Sequence, residues 1–508
     1  MKNGRMENAA RNAIFGVISK IYQIVLPFVI RTILIYSLGI EYLGLNSLFT
    51  SILQILNLAE MGIGSAMIYS MYKPITVGDQ DTICALMGLY RKYYRIIGFI
   101  VLFIGGCIYP FIPQLISGDI PNGIDINILY LLNLGTTVLT YWLFAYKICL
   151  LNAHQRNDIE SKVQILMDTL KYLGQILALV FFRSYYIYLC VNLLLQILNN
   201  IFTALIVSKM YPEYSPKGSL EESEIKLINR KVRDLFTSKL GAVIMTSVDS
   251  VVISAFLGLK SLAIYNNYYF IMKSLINIIN TIYIGAMSGV GNSLILETKE
   301  KNYRSFNKFT FIIVWITGFF TCCLLCLYQP FIKLWVGEEN KLHFQAVICF
   351  CVYFFVFELY SLLNLYKDAA GLWHKDRFRP MVTACCNLTL NLWLVKDIGV
   401  YGVLLSTISA TIVIDIPWLL NGLFKELFQC NIKQYLQKLT INILVIVGSC
   451  YITWLSCSLF TKEGIISFLC KIVLCCVAPN LIYIVVYRKT KEYKEIKGFL
   501  VKLMVRRG

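Results

Sequence analysis

The chain has 508 residues, of which 57% are hydrophobic and 15% charged, with 47 Lys and Arg against 29 Asp and Glu and a formal net charge of +18. Apolar runs of roughly 20 residues recur along its whole length, which excludes a soluble globular protein and points to an all-α polytopic membrane protein. The positive charge is spread over alternate loops instead of being gathered into one patch, so no nucleic-acid partner is expected.

The first run, Asn12 to Leu38, is too long and too charged for a signal peptide, no small-residue cleavage site follows it, and it is expected to remain as an anchor. It carries Lys20 and Arg31 inside the apolar stretch. Helical spacing places Lys20, Pro27 and Arg31 on one face roughly 16 Å long. A charge facing lipid costs at least ~2.5 kcal/mol at mid-bilayer, so this face is expected to turn toward protein or a water-filled cavity. Snorkelling of each cation to its nearer interface is the competing reading.

Cutting at charged, Gly- and Pro-containing breaks gives about fourteen spans. After the first they run Leu43 to Tyr69, Tyr94 to Ile116, Ile126 to Cys149, Val163 to Phe182 and Tyr186 to Ser208. Leu235 to Gly258, Leu262 to Leu294, Phe309 to Leu334, Phe344 to Tyr366, Met381 to Leu394 and Val400 to Leu423 follow. Leu439 to Phe460 and Ile465 to Tyr487 close the series. The stretch 381–397 is short for a span, and a re-entrant segment is the alternative there. Loops rich in Lys and Arg alternate with loops holding isolated cations, which predicts cytoplasmic N and C termini and an even number of spans.

Sliding the chain on itself by about 219 residues aligns Arg11 with Arg230, Lys20 with Lys239, Leu38-Gly39 with Leu257-Gly258 and Leu43 with Leu262. Tyr146-Lys147 and Tyr366-Lys367, and Asp158 and Asp376, lie within a residue or two of the same shift. Two six-helix bundles in parallel pseudo-repeat are therefore expected. The expected divisions are 1–210 (N-terminal bundle), 211–234 (cytoplasmic amphipathic linker), 235–426 (C-terminal bundle), 427–487 (extra helix pair) and 488–508 (basic cytoplasmic tail). Ser219-Leu220-Glu221-Glu222 fits a capping box opening the linker helix.

Ionisable residues inside spans are the functional candidates, because the bilayer makes each expensive. Lys20, Arg31, Lys239 and Lys273 form the cationic set; Glu60, Asp249, Glu358 and Asp415 are groups for taking up a proton, coordinating Na⁺, or forming buried ion pairs. Asp168 and Lys171, at (i, i+3), are spaced to neutralise each other. Cations along the first span with scattered carboxylates elsewhere favour a pathway for an anionic solute. No P-loop or HExxH motif is present, and His154, His343 and His374 are scattered, so neither a catalytic site, a metal nor an organic cofactor is expected. The cysteines, including Cys322-Cys323, Cys385-Cys386 and Cys475-Cys476, lie in apolar runs and read as small packing residues.

The first span opening Arg-Asn-Ala at Arg11, its internal lysine, the Leu-Gly-Ile-Glu-Tyr-Leu-Gly-Leu stretch at Leu38 to Leu45 and the two-bundle layout with a linker resemble bacterial polysaccharide flippases. These are members of the multidrug, oligosaccharidyl-lipid and polysaccharide exporter superfamily, and the resemblance runs from about Asn8 to Lys425; the last two spans are similar to the extra pair of some members. The resemblance implies two bundles around a cavity opening alternately to each side of the bacterial cytoplasmic membrane. It implies an undecaprenyl-diphosphate-linked oligosaccharide as substrate, with Lys20, Arg31, Lys239 and Lys273 assigned to the diphosphate. A polymerase or glycosyltransferases of the same pathway are the implied protein partners. A cation-coupled multidrug exporter of the same fold is one competing reading, disfavoured by the cations of the first span; a membrane glycosyltransferase or polymerase is another, disfavoured by short loops.

Overall fold

A computed structural model describes residues 22–118, 120–121, 123–460 and 464–505, and every regular element among them is helical. Two compact units, Met1–Ala263 and Ile264–Gly508, divide the chain. The first contains α1 (Tyr22–Leu38), α2 (Ile40–Leu56), α3 (Ile63–Val77), α4 (Gln80–Ile108), α5 (Ile126–Trp142), α6 (Ile148–Ala153), α7 (Asn157–Leu177) and α8 (Tyr185–Met210). The long α9 (Glu222–Leu296) begins in the first unit and ends in the second. The second unit continues with α10 (Lys299–Val336), α11 (Phe344–Ala369), α12 (Trp373–Asp376), α13 (Arg379–Ile398), α14 (Val400–Ala410), α15 (Ile416–Gly422), α16 (Ile432–Ser458), α17 (Ile465–Tyr487) and α18 (Lys491–Val505).

Among the described residues nine helices are long and apolar enough to cross a membrane, or ten if the bent pair of Ile126–Trp142 and the helix ending at Ala153 is one span. The expected first span, Asn12 to Leu38, lies partly outside the described residues, and the rest of the difference from about fourteen spans has physical causes. The helix α9 counts once, although Gly258 (φ 83°, ψ 174°) breaks it at the expected division between the seventh and eighth spans. The second span is interrupted between α2 and α3, where Met61 is extended and Gly62 adopts a left-handed conformation (φ 100°). The 20-residue α13 is about 30 Å long by helical rise, enough to cross, but it is too polar to count. Its Asn387 donates to Thr407 Oγ1 at 2.8 Å and Asn391 accepts from Ser406 at 2.5 Å, so polar side chains on α13 are satisfied by α14.

The expected linker also differs. The helix starts at Glu222, after the Ser219 of the expected capping box, and continues without interruption past residue 234 to Gly258. Tyr93 donates to Asn229 Oδ1 at 2.5 Å and Lys231 sits 4.4 Å over the Tyr69 ring, which fixes this segment on the first unit. Farther along, Ser117 N–H donates to Ser254 O at 3.0 Å, and Gly44 lies so close to Leu259 that a Cβ there would meet its carbonyl oxygen at 2.3 Å. These ties put the division of the units after Ala263, later than a boundary at 234.

Positions paired by the sequence shift show matching local structure. Gly39 (φ 117°, ψ 163°) and Gly258 (φ 83°, ψ 174°) each separate two helices with positive φ and extended ψ. Asp158 and Asp376 are both buried and ion-paired, Asp158 to Arg156 and Lys162, Asp376 to Arg379 and Lys367.

At the C-terminal end, Glu492 of α18 pairs with Lys438 at 2.6 Å, and Glu495 pairs with Lys308 at 2.7 Å and with Arg304. Hydrogen bonds from Lys308 and Arg304 hold the Glu495 carboxyl down at about 2.

Two outcomes follow for stability. Gly44→Ala is expected to cost about 1–3 kcal/mol through forced backbone displacement, seen as a lower melting temperature in detergent, whereas Gly106→Ala, with nothing within 4 Å, leaves it unchanged or raised. Because the folded-state pKa of Glu495 is depressed, its contribution is complete above the usual carboxylate range and is lost as pH falls toward about 2. Protection factors of the α18 amides, exchange rates divided into the intrinsic rate at each pH, are therefore expected to stay high at neutral pH and fall only in acid, whereas Glu495→Gln lowers them at neutral pH.

Candidate functional site

In the first unit the interruption between α2 and α3 has a carboxyl at its centre. After Leu56 the chain makes a tight turn over Asn57–Glu60 before α3 starts. Irregular backbone at membrane depth is tolerated only where protein covers it or it lines a water-filled cavity. Here tyrosines cover it. Tyr94 of α4 donates to Glu60 Oε1 at 2.5 Å, Tyr90 donates to the Tyr94 hydroxyl at 2.7 Å, and Tyr141 of α5 donates to Asn57 Oδ1 at 2.8 Å. Gly64 makes room for the Tyr90 hydroxyl, which would lie 3.1 Å from a Cβ there. Glu60 has no ion-pair partner among the described residues.

Arg31 on α1 is half-buried and interacts electrostatically with Tyr188 of α8. Tyr188 stacks on Tyr185 with centroids 5.5 Å apart, and Tyr185 meets Tyr42 edge-on at 5.3 Å. Lys20 lies outside the described residues, and Lys239 is described in its backbone alone. Asp249 on α9 is buried.

Between α7 and α8 lies a cavity of about 150 Å³ lined by Gln164, Asp168, Lys171, Gln196, Asn199 and Thr203. That volume holds about five water molecules at liquid density. Asp168 and Lys171 pair at 2.6 Å, and the remaining polar lining is the carboxyl of Glu160 with the carboxamides of Gln164, Gln196 and Asn199 and the Thr203 hydroxyl. Both helices are long and apolar enough to cross a membrane, so the polar set is concentrated on one side of otherwise hydrophobic segments.

In the second unit Lys273 on α9 is half-buried and has no ion-pair partner among the described residues. Glu358 of α11 is 1% exposed. Its Oε2 accepts from Tyr283 at 3.0 Å, and its Oε1 has no hydrogen-bond partner among the described residues. Asp415 is placed differently. Its Oδ1 accepts from Arg379 and, at 2.8 Å, from Thr383. Arg379 also forks onto Asp376 at 2.6 and 2.8 Å, and Lys367 links Asp376 at 3.3 Å to Asp368 at 2.7 Å. The carboxylates and cations of this network satisfy one another, whereas Glu358 has a single tyrosine donor. A separate apolar cavity of about 650 Å³ lies among Ile348, Phe355, Leu359, Ile412, Val447 and Trp454.

Of the cationic candidates with described side chains, Arg31 belongs to the first unit and Lys273 to the second. The tyrosine donors Tyr94 and Tyr283 carry no periodic signal and lie 34 and 75 residues from their carboxyls, so sequence reasoning missed them. Arg379 reads as a loop cation two residues before the expected eleventh span, but the helix begins with it and it is buried.

Comparison with known proteins adds the following. A family model described as "Polysaccharide biosynthesis protein" matches residues 9–288. No curated protein sequence matches the chain. Among solved structures, the chain is similar to lipid II flippase MurJ in an inward closed conformation, at 15% identity and TM-score 0.63 over 94% of this chain and 98% of that one. It is also similar to an inward-facing multidrug resistance MATE family transporter of the MOP superfamily, at 15% identity and TM-score 0.58 over 81% and 98%. The chain is also similar to a MOP superfamily transporter from Pyrococcus furiosus whose binding pocket is described as having reverse polarity, at 13% identity and TM-score 0.56 over 82% and 95%.

Removing one partner of a buried ion network leaves the others uncompensated at a cost of about 3–5 kcal/mol. Arg379→Gln is therefore expected to lower the melting temperature in detergent sharply, and Arg379→Gln combined with Asp415→Asn is expected to recover part of the loss.

Proposed function

The chain belongs to the polysaccharide biosynthesis protein family, and we propose that it is a flippase for a polyprenyl-diphosphate-linked oligosaccharide, carrying it from the inner to the outer leaflet of the bacterial cytoplasmic membrane by alternating access. It is a multi-pass membrane protein with the fold of MOP superfamily transporters. The observation that carries the substrate class is the cavity between α7 and α8, where Gln164, Gln196, Asn199 and Thr203 offer neutral hydrogen-bonding groups inside membrane-length helices. Carboxamides and hydroxyls bind sugar hydroxyls by exchanging donors and acceptors without fixed charge. The family match spans this cavity and Arg31.

In this reading the diphosphate is attracted by Arg31 and Lys273, together with Lys20 and Lys239, since a cationic surface with low-dielectric walls concentrates an anionic ligand. The apolar cavity of the second unit offers hydrocarbon-like surface to a lipid chain. Glu60 and Glu358, each bonded by a tyrosine hydroxyl, are the groups for a coupling H⁺ or Na⁺, with Asp249 as a further candidate. Asp415 serves as a structural ion-pair member. Fourteen spans, arranged as two six-helix bundles and an extra pair with both termini cytoplasmic, complete the proposal. A polymerase and glycosyltransferases of the same pathway would hand over and receive the substrate.

The test uses a strain that depends on this protein for surface polysaccharide. Replacing Lys20, Arg31 and Lys273 with glutamine is expected to cut exported polymer about tenfold, equivalent to ~1.4 kcal/mol, with the lipid-linked intermediate accumulating inside. Unchanged export at normal protein levels would overturn the assignment of these cations.

A further inference from the structure

The cysteines do more than fill space along one seam of the second unit. Cys326 of α10, Cys457 of α16 and Cys475 of α17 are buried, and their Sγ atoms all lie within 4.8 Å of one another. Cys457 and Cys475 are 3.8 Å apart, Sγ to Sγ. Cys323, spaced from Cys326 as C-x-x-C, packs against the cluster with Leu327 and Leu474. The distant helix α10 and the consecutive pair α16 and α17 thus converge their thiols on one point, an arrangement that spacing along the chain does not reveal.

We propose that Cys326, Cys457 and Cys475 bind a soft, thiophilic metal ion of the Cu(I) class and that the bound ion fastens α16 and α17 to α10. Three sulfur ligands around a trigonal ion with bonds of about 2.3 Å stand about 4 Å apart, close to the 3.8 Å between Cys457 and Cys475 and inside the 4.8 Å that bounds all three thiols. Zn(II) favours a tetrahedral set, and among the described residues no His, Asp or Glu joins the group. Soft sulfur ligands select Cu(I), and Leu327 and Leu474 pack against the cluster.

Charge balances as well. Binding displaces two thiol protons to solvent, leaving Cu⁺ with two thiolates and one thiol at a net charge of −1. Lys471, one turn before Cys475 on α17 and in electrostatic reach of Cys457, supplies the compensating positive charge. No electron is transferred, because the ion enters and remains as Cu(I).

The full chain, purified in detergent and kept reduced under anaerobic conditions, is loaded with Cu(I) and washed with a Cu(I) chelator. Metal content is then measured alongside X-ray absorption at the copper edge. The expected result is one copper per chain with a sulfur-only ligand shell and a melting temperature raised by copper. Cys326→Ser, Cys457→Ser and Cys475→Ser each lose the copper and the rise, whereas Cys107→Ser, an exposed cysteine of the first unit, keeps both. Melting of the metal-free variants separates lost binding from lost folding, and where a serine variant misfolds the alanine variant of the same residue replaces it. No copper retained by the parent chain, copper retained equally by a triple variant, or Zn(II) retained in preference to Cu(I) would each overturn the proposal.

Discussion

Hydrocarbon offers no hydrogen bonds, so every polar group on a membrane-length helix must find its partner within the protein. Hydroxyls solve this locally: Thr32, Ser70, Thr136, Ser274 and Ser361 each donate to the carbonyl four residues earlier. Carboxamides need a neighbour, and α13 and α14 supply it to each other through Asn387, Asn391, Ser406 and Thr407. Charges need several partners at once. The Arg379 network places two aspartates on one guanidinium, and Lys367 on Asp376 supplies the second positive charge that balances them.

The same constraint separates groups that serve architecture from groups free to act. Arg379, Asp376 and Asp415 are saturated by one another, and disturbing them would unfold helices before it changed chemistry. Glu358 is buried with one oxygen lacking a partner among the described residues, and Glu60 rests on tyrosine hydroxyls at a break in the helical backbone.

Much of the helical architecture was legible because it rests on run length and on glycine. Apolar runs announce the helices, and Gly258 falls where the seventh and eighth spans were separated. The break near Glu60 was not legible: Leu56 to Gly64 reads as a mostly apolar stretch whose glycines suggest close helix packing, and only the backbone conformation reveals Gly62 as a stop. The sequence marks 381–397 as short for a span, but not that the helix runs 20 residues from Arg379 with its polar side chains satisfied on α14. Contacts such as Tyr94 with Glu60 or Cys326 with Cys457 join residues from separate helices, and periodicity within one helix carries no information about them.

Gly39 and Gly258 finally have a mechanical meaning. Each is a single residue outside the helical region between two stiff rods, and at Gly39 the N–H still bonds Ile35 O at 3.1 Å. Glycine has the widest dihedral freedom of any residue, so bending strain concentrates in two torsions there while the flanking hydrogen-bond ladders stay intact. Compliance is thereby concentrated at single residues, and the rods on either side can tilt as wholes without exposing a backbone amide to lipid.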